Sequence, residues 1–168
     1  SKAVFQRQRK GLLFSDIERP INLFQRALWK TDFMYAPYSP DFEKLEHFHP
    51  YLEDDVIRLP DIYEELNGVN ACRRYMALVA HLIAHHQFTT KIVADNVSPQ
   101  QRFFTEVFED ARVEYLAIQE YPGLKRLWLS LIPIVDEFDC DDTQQSCLRH
   151  RAIMLTRALI DDNHPYKN

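Results

Sequence analysis

The chain has 168 residues, 46% of them hydrophobic and 27% charged, with a net charge of −5. That length carries a domain with its own core, and the mild acidity lacks the basic footprint of a nucleic-acid binder. Three glycines are too few for phosphate loops, dinucleotide crevices or many-turned β-sandwiches, which need glycine at their tight turns.

Cys72, Cys140 and Cys147 are odd in number and too few for a disulfide framework, so free thiols in a reducing, cytoplasmic setting are expected. No stretch approaches the roughly 18 apolar residues of a spanning helix, and Leu127 to Val135 is broken by Ser130 and Pro133. The opening SKAVFQRQRK has no apolar signal-peptide core and no initiator Met, so a piece of a longer protein is expected.

Residues 1–19 are polar and basic at first and read as an arm, flexible or partly ordered. Asp16 then suits a helix cap with Pro20 in the first turn, and Ile21, Phe24 and Leu28 recur at helical period. From Thr31 to Asp61, Pro37, Pro40, Pro50 and Pro60 break the pattern among many aromatics. This stretch reads as a loop layer over the core, with one short strand over Asp55–Pro60.

A buried helix is expected over about Asn70 to Phe88, apolar on more than one face through Tyr75, Met76, Val79, Leu82 and Ile83. Ser98 and Pro99 start the next helix, whose apolar stripe is Phe104, Val107, Phe108, Ala111, Tyr115 and Ile118, and Tyr121-Pro122-Gly123 ends it. A short helix over Leu124 to Leu131 and a last one capped by Ser146 or Thr143 complete a mostly α, single helical domain over residues 1–168.

His81 and His85 lie four apart and project from one helix face, the spacing of zinc metalloprotease ligands. The protease also needs a glutamate directly after the first His, as general base for the metal-bound water. Leu82 stands there, so peptidase chemistry is disfavoured. His86 follows on the same helix. On the next helix Glu106, Asp110 and Glu114 recur every four residues, with Glu109 and Arg112 at ion-pair spacing. A structural network of His81, His85, Glu106, Asp110, Arg112 and Glu114 is the favoured reading. The others are a zinc or similar divalent site at His81, His85, Glu109 and Asp110, and a solvated face. Cys140, Cys147 and His150 offer only three soft zinc ligands, and partly buried free thiols are the expectation. His47, His49 and His164 sit in loops without a partner at useful spacing and read as surface residues.

The blocks FEDARVE (residues 108–114), YPGLKRLWL (121–129) and SCLRHR (146–151) closely resemble the region preceding the von Willebrand factor A domain in NorD/CbbO-type proteins. The resemblance runs over roughly Asp55 to Tyr166. It implies a non-catalytic adaptor that works with a hexameric MoxR-type AAA+ ATPase (CbbQ or NorQ), with the ATPase activity in the partner. The target would be Rubisco, as in a CbbO-type Rubisco activase, or nitric oxide reductase, as in NorD-type maturation. It also implies a degenerate zincin-like helix pair. The family's D-x-S-x-S adhesion motif belongs to the A domain and is absent from this chain. A zincin-like metal-dependent hydrolase is the competing class.

Overall fold

The computed structural model describes residues 10–39, 49–90, 96–135, 140 and 147–165. Among these, five helices dominate and five short strands form two small sheets. The chain divides into two compact units, Ser1–Leu82 and Ile83–Asn168.

The first unit starts with strand β1 (Leu12–Leu13) and helix α1 (Phe14–Trp29). The expected arm is therefore ordered from Lys10 onward, and residues 1–9 lie outside the described residues. Helix α1 begins two residues before Asp16, because Leu12 and Leu13 pair with strand β5 (Ile62–Tyr63) and Phe14 N donates to Asp61 O at 2.9 Å. Gly11 makes the approach possible. Its φ is +131°, and a Cβ there would lie 2.7 Å from the Tyr63 carbonyl oxygen. Pro20 falls inside α1 rather than in its first turn.

The stretch expected as loop holds a three-stranded sheet of β2 (Met34–Tyr38), β3 (Tyr51–Glu53) and β4 (Val56–Pro60), in the order β2-β4-β3. Strand β4 is central, parallel to β2 and antiparallel to β3. It buries Ile57 and Leu59 completely and turns Arg58 to solvent, the two-residue alternation of a one-sided sheet. Pro37 and Pro60 sit where a missing donor is tolerated, Pro37 on edge strand β2 and Pro60 at the last position of β4. A second turn joins Leu66 to Val69 through Asn67 and Gly68, both at positive φ, which is the two-residue hairpin geometry Asn-Gly favours.

Helix α2 (Ala71–Phe88) follows, and the division between units falls inside it. Its Tyr75 ring is fully buried and lies 5.4 Å from Phe14 and 4.6 Å from Tyr63, while Phe14 meets Tyr35 at 5.0 Å. These tilted rings form the centre of the first unit, where each aromatic pair adds about 0.5–1.5 kcal/mol beyond its buried area. Their polar ends are satisfied. Tyr75 donates to Pro60 O at 3.0 Å, and Tyr35 donates at 2.7 Å to buried Gln25, whose amide donates in turn to Thr31 O.

The second unit contains α3 (Pro99–Glu120), α4 (Gly123–Leu129) and α5 (Cys147–Ile160). Ser98 and Gln101 form a reciprocal capping box at the start of α3, with Pro99 in the first turn. The buried face of α3 is Ala111, Val113, Glu114, Ala117 and Ile118; of the expected stripe, Ala111 and Ile118 lie on it, while Phe104 and Val107 are only partly covered. Phe108 and Tyr115 are each about half exposed. Arg157, on α5, donates to the carbonyls of Leu129 and Ile132 and satisfies the end of α4. Cys140 and Cys147 are joined as a disulfide, with Cα atoms 5.7 Å apart, which corrects the expectation of free thiols; only Cys72 keeps its thiol. His164 is buried rather than superficial, and His150 is buried as well. His47 and the proposed caps Thr143 and Ser146 fall outside the described residues.

Burial pushes the Tyr35, Tyr63 and Tyr75 hydroxyls above the usual tyrosine range and Tyr38 up to about 12. Raised values mean the neutral hydroxyl stabilises the fold fully below about pH 10, and this is lost as pH rises through the folded values. Alkaline titration followed by tyrosinate absorbance should therefore show the exposed tyrosines ionising first and the buried group only together with loss of circular dichroism. One smooth transition near pH ~10 with the fold intact would contradict the packing described.

Candidate metal centre

Helix α2 runs without Gly or Pro to Phe88, so His81 and His85 keep the four-residue spacing that stacks them on one face. Both are half-buried, while His86, the next residue, points to solvent. Leu82 occupies the position a protease gives to its glutamate, and it is buried.

Helix α3 supplies the facing carboxylates, and they do not share one fate. Glu106 is exposed, Asp110 half-buried and Glu114 buried. A four-residue step advances about 40° around a helix, so the two steps from Glu106 to Glu114 turn through about 80° and cannot hold one direction. Asp110 is the residue brought to the histidines. Its Oδ1 lies 3.0 Å from His85 Nε2, and ligand atoms of His81, His85 and Asp110 all fall within 4.8 Å of one another.

Glu109 sits outside that trio and is used otherwise. Arg112 donates to both of its oxygens, from Nε and Nη2 at 2.7 Å each, and Thr89 donates its hydroxyl proton to Oε1 at 2.7 Å. The Arg112 hydrogen bond is the main reason the Glu109 carboxyl is held at about 2, below the usual carboxylate range. The Thr89 hydroxyl and the charges of Arg112 and His85 lower it further, against partial burial. Arg112 Nη2 also donates at 2.7 Å to Phe88 O, one of the carbonyls left open at the end of α2. Thr89, just past that end, was not singled out by motif or period.

These contacts fix where protons sit. Thr89 has one hydroxyl proton and gives it to ionised Glu109, so Thr89 Oγ1 accepts from His85 Nδ1, 2.9 Å away. His85 Nε2 then faces the Asp110 carboxylate. A bare nitrogen lone pair there would repel it, so the line between them requires a proton or a metal cation. Cys140 and Cys147, bonded to each other, are not thiolate ligands in this structure.

Comparison with known protein families, with curated proteins and with solved structures finds no match.

Because Glu109 is depressed from its unfolded value of about 4.3, its contribution is fully present above that pH and is lost as pH falls through about 2. A Glu109→Gln variant should be less stable than wild type in denaturant unfolding at about pH 7, with the gap closing by about pH 2. Partial solvent exposure keeps the effect modest. Equal stability at neutral pH would show that the Arg112–Glu109–Thr89 contacts contribute nothing.

Proposed function

We propose that this chain is a non-catalytic adaptor domain that works with a MoxR-type AAA+ ATPase hexamer of the CbbQ or NorQ kind. In this reading the ATPase supplies force, and the longer protein to which the chain belongs selects the target, Rubisco or nitric oxide reductase. The observation that carries the proposal is the FEDARVE block. Its Glu109, Asp110 and Arg112 are the α3 residues that engage the end of α2, and its Glu114 is buried in the second unit. The residues that carry the family resemblance are thus those that hold the helices together, which suits a domain serving as a rigid part.

The missing glutamate at buried Leu82 supports a non-catalytic reading over a zincin-like hydrolase, and the degenerate zincin likeness of the helix pair belongs to this proposal. Phe104 and Phe108 stack at 6.1 Å beside Val97 at the start of α3, and exposed aromatic surface of this sort suits protein contact. No helix among the described residues is long and apolar enough to cross a membrane. The setting we propose is cytoplasmic; the Cys140–Cys147 disulfide is the observation that runs against it.

Co-purification tests the reading. The tagged chain should retain a MoxR-type ATPase hexamer in the presence of ATP, as the full-length protein does. Retention by the full-length protein but not by this chain would place docking elsewhere and overturn the proposal.

A further inference from the structure

We propose that His81, His85 and Asp110 form a binding site for one divalent transition-metal ion of the zinc type. This inference rests on the geometry alone and does not depend on the AAA+ partner.

The donor atoms are of the right kind and already near one another. Two imidazoles and one carboxylate are the protein ligands of open zinc sites, and all three converge within 4.8 Å. His85 Nε2 and Asp110 Oδ1 are 3.0 Å apart. Zinc–ligand bonds of about 2.0–2.1 Å in a tetrahedron place neighbouring donors about 3.3 Å apart, so admitting the ion needs only a small outward shift of that pair. His81 lies one turn back on the same uninterrupted helix, with its ligand atom within 4.8 Å of the other two.

The outer contacts match what a metal-bound histidine requires. Its second ring nitrogen must be protonated and held, so that the first presents its lone pair to the ion. Thr89 does this for His85, and Thr89 is itself fixed by Glu109, which is fixed by Arg112. A carboxylate that already accepts three hydrogen bonds is a poor candidate for a ligand, which is why Glu109 is assigned to the support and Asp110 to the ion. All three ligands are half-buried, leaving solvent access for a fourth, non-protein ligand. Buried Leu82 stands where a metalloprotease carries its general base, so that position supplies no base for a metal-bound water. The effect we assign to the ion is to cross-link α2 and α3.

Zinc titration of the purified chain against a chromophoric chelator tests this, with cobalt(II) as a spectroscopic substitute. The expected result is one equivalent of zinc and an intense visible cobalt spectrum of the four-coordinate kind. His85→Ala and Asp110→Asn should each abolish stoichiometric binding, and Thr89→Val should weaken it by about 10–100-fold, the usual cost of losing an outer-shell partner. Glu106→Gln, on an exposed carboxylate outside the trio, should bind as wild type. Circular dichroism identifies any variant that fails to fold, in which case the wild-type cobalt spectrum decides. Substoichiometric zinc, a weak six-coordinate cobalt spectrum, or unchanged binding by folded Asp110→Asn would each overturn the site. Because none of these readouts involves an ATPase, their failure is distinct from failure of the adaptor reading.

Discussion

The contact on which the candidate site depends is the hydrogen-bonded chain at the end of α2: His85 to Thr89, Thr89 to Glu109, Glu109 to Arg112, and Arg112 back to the Phe88 carbonyl. It closes on itself through the backbone. A helix end leaves carbonyl groups unsatisfied, and here a guanidinium from another helix satisfies one of them. That same guanidinium orients the carboxylate that claims the threonine proton, and the threonine then sets which nitrogen of His85 carries hydrogen. Charge-assisted bonds of this kind are roughly twice as strong as neutral ones, so the arrangement is directional even though several members touch solvent. What His85 presents to Asp110 is a consequence of Arg112, three links away.

Much of the fold was legible because local chemistry and structure agreed. Ser98, Pro99 and Gln101 specify a helix start by donor and acceptor count alone, and the structure forms both halves of the box. The apolar, proline-free run from Ala71 to Phe88 is one buried helix. Other features followed from contacts that no local pattern encodes. Leu12 and Leu13 look like the end of a polar arm until Ile62 and Tyr63 pair with them. The sheet of β2, β3 and β4 depends on a parallel pairing between segments some twenty residues apart, Met34 with Val56. The Asn67-Gly68 turn is the kind of feature a dipeptide encodes locally, since both residues accept the positive φ it needs.

The candidate site shows the same division. Spacing on α2 placed His81 and His85 on one face, which any regular helix guarantees. Choosing among carboxylates required knowing how α3 is rotated, and the aromatic residues suggested the wrong phase. Phe108 and Tyr115 are large and apolar, yet smaller Ala111, Val113 and Ala117 face the core, where close helix approach favours small side chains. That rotation brings Asp110 to His85 and leaves Glu106 in solvent. The Cys140–Cys147 bond likewise depends on proximity between residues whose spacing fits no familiar framework.

Under the proposed adaptor reading, a part that transmits force must not give way, and a helix junction tied by the ion-paired network and cross-linked by the proposed metal would meet that need. The proton on His85 is the most exposed element of this account. A long-range proton–nitrogen NMR spectrum of the imidazole rings reads it directly. The account predicts that His85 Nδ1 carries hydrogen, with Thr89 as its acceptor, and that adding zinc shifts Nε2 while Nδ1 stays protonated. A His85 protonated at Nε2 alone, with Nδ1 bare and the spectrum indifferent to zinc, would contradict both the hydrogen-bond chain and the metal site built on it.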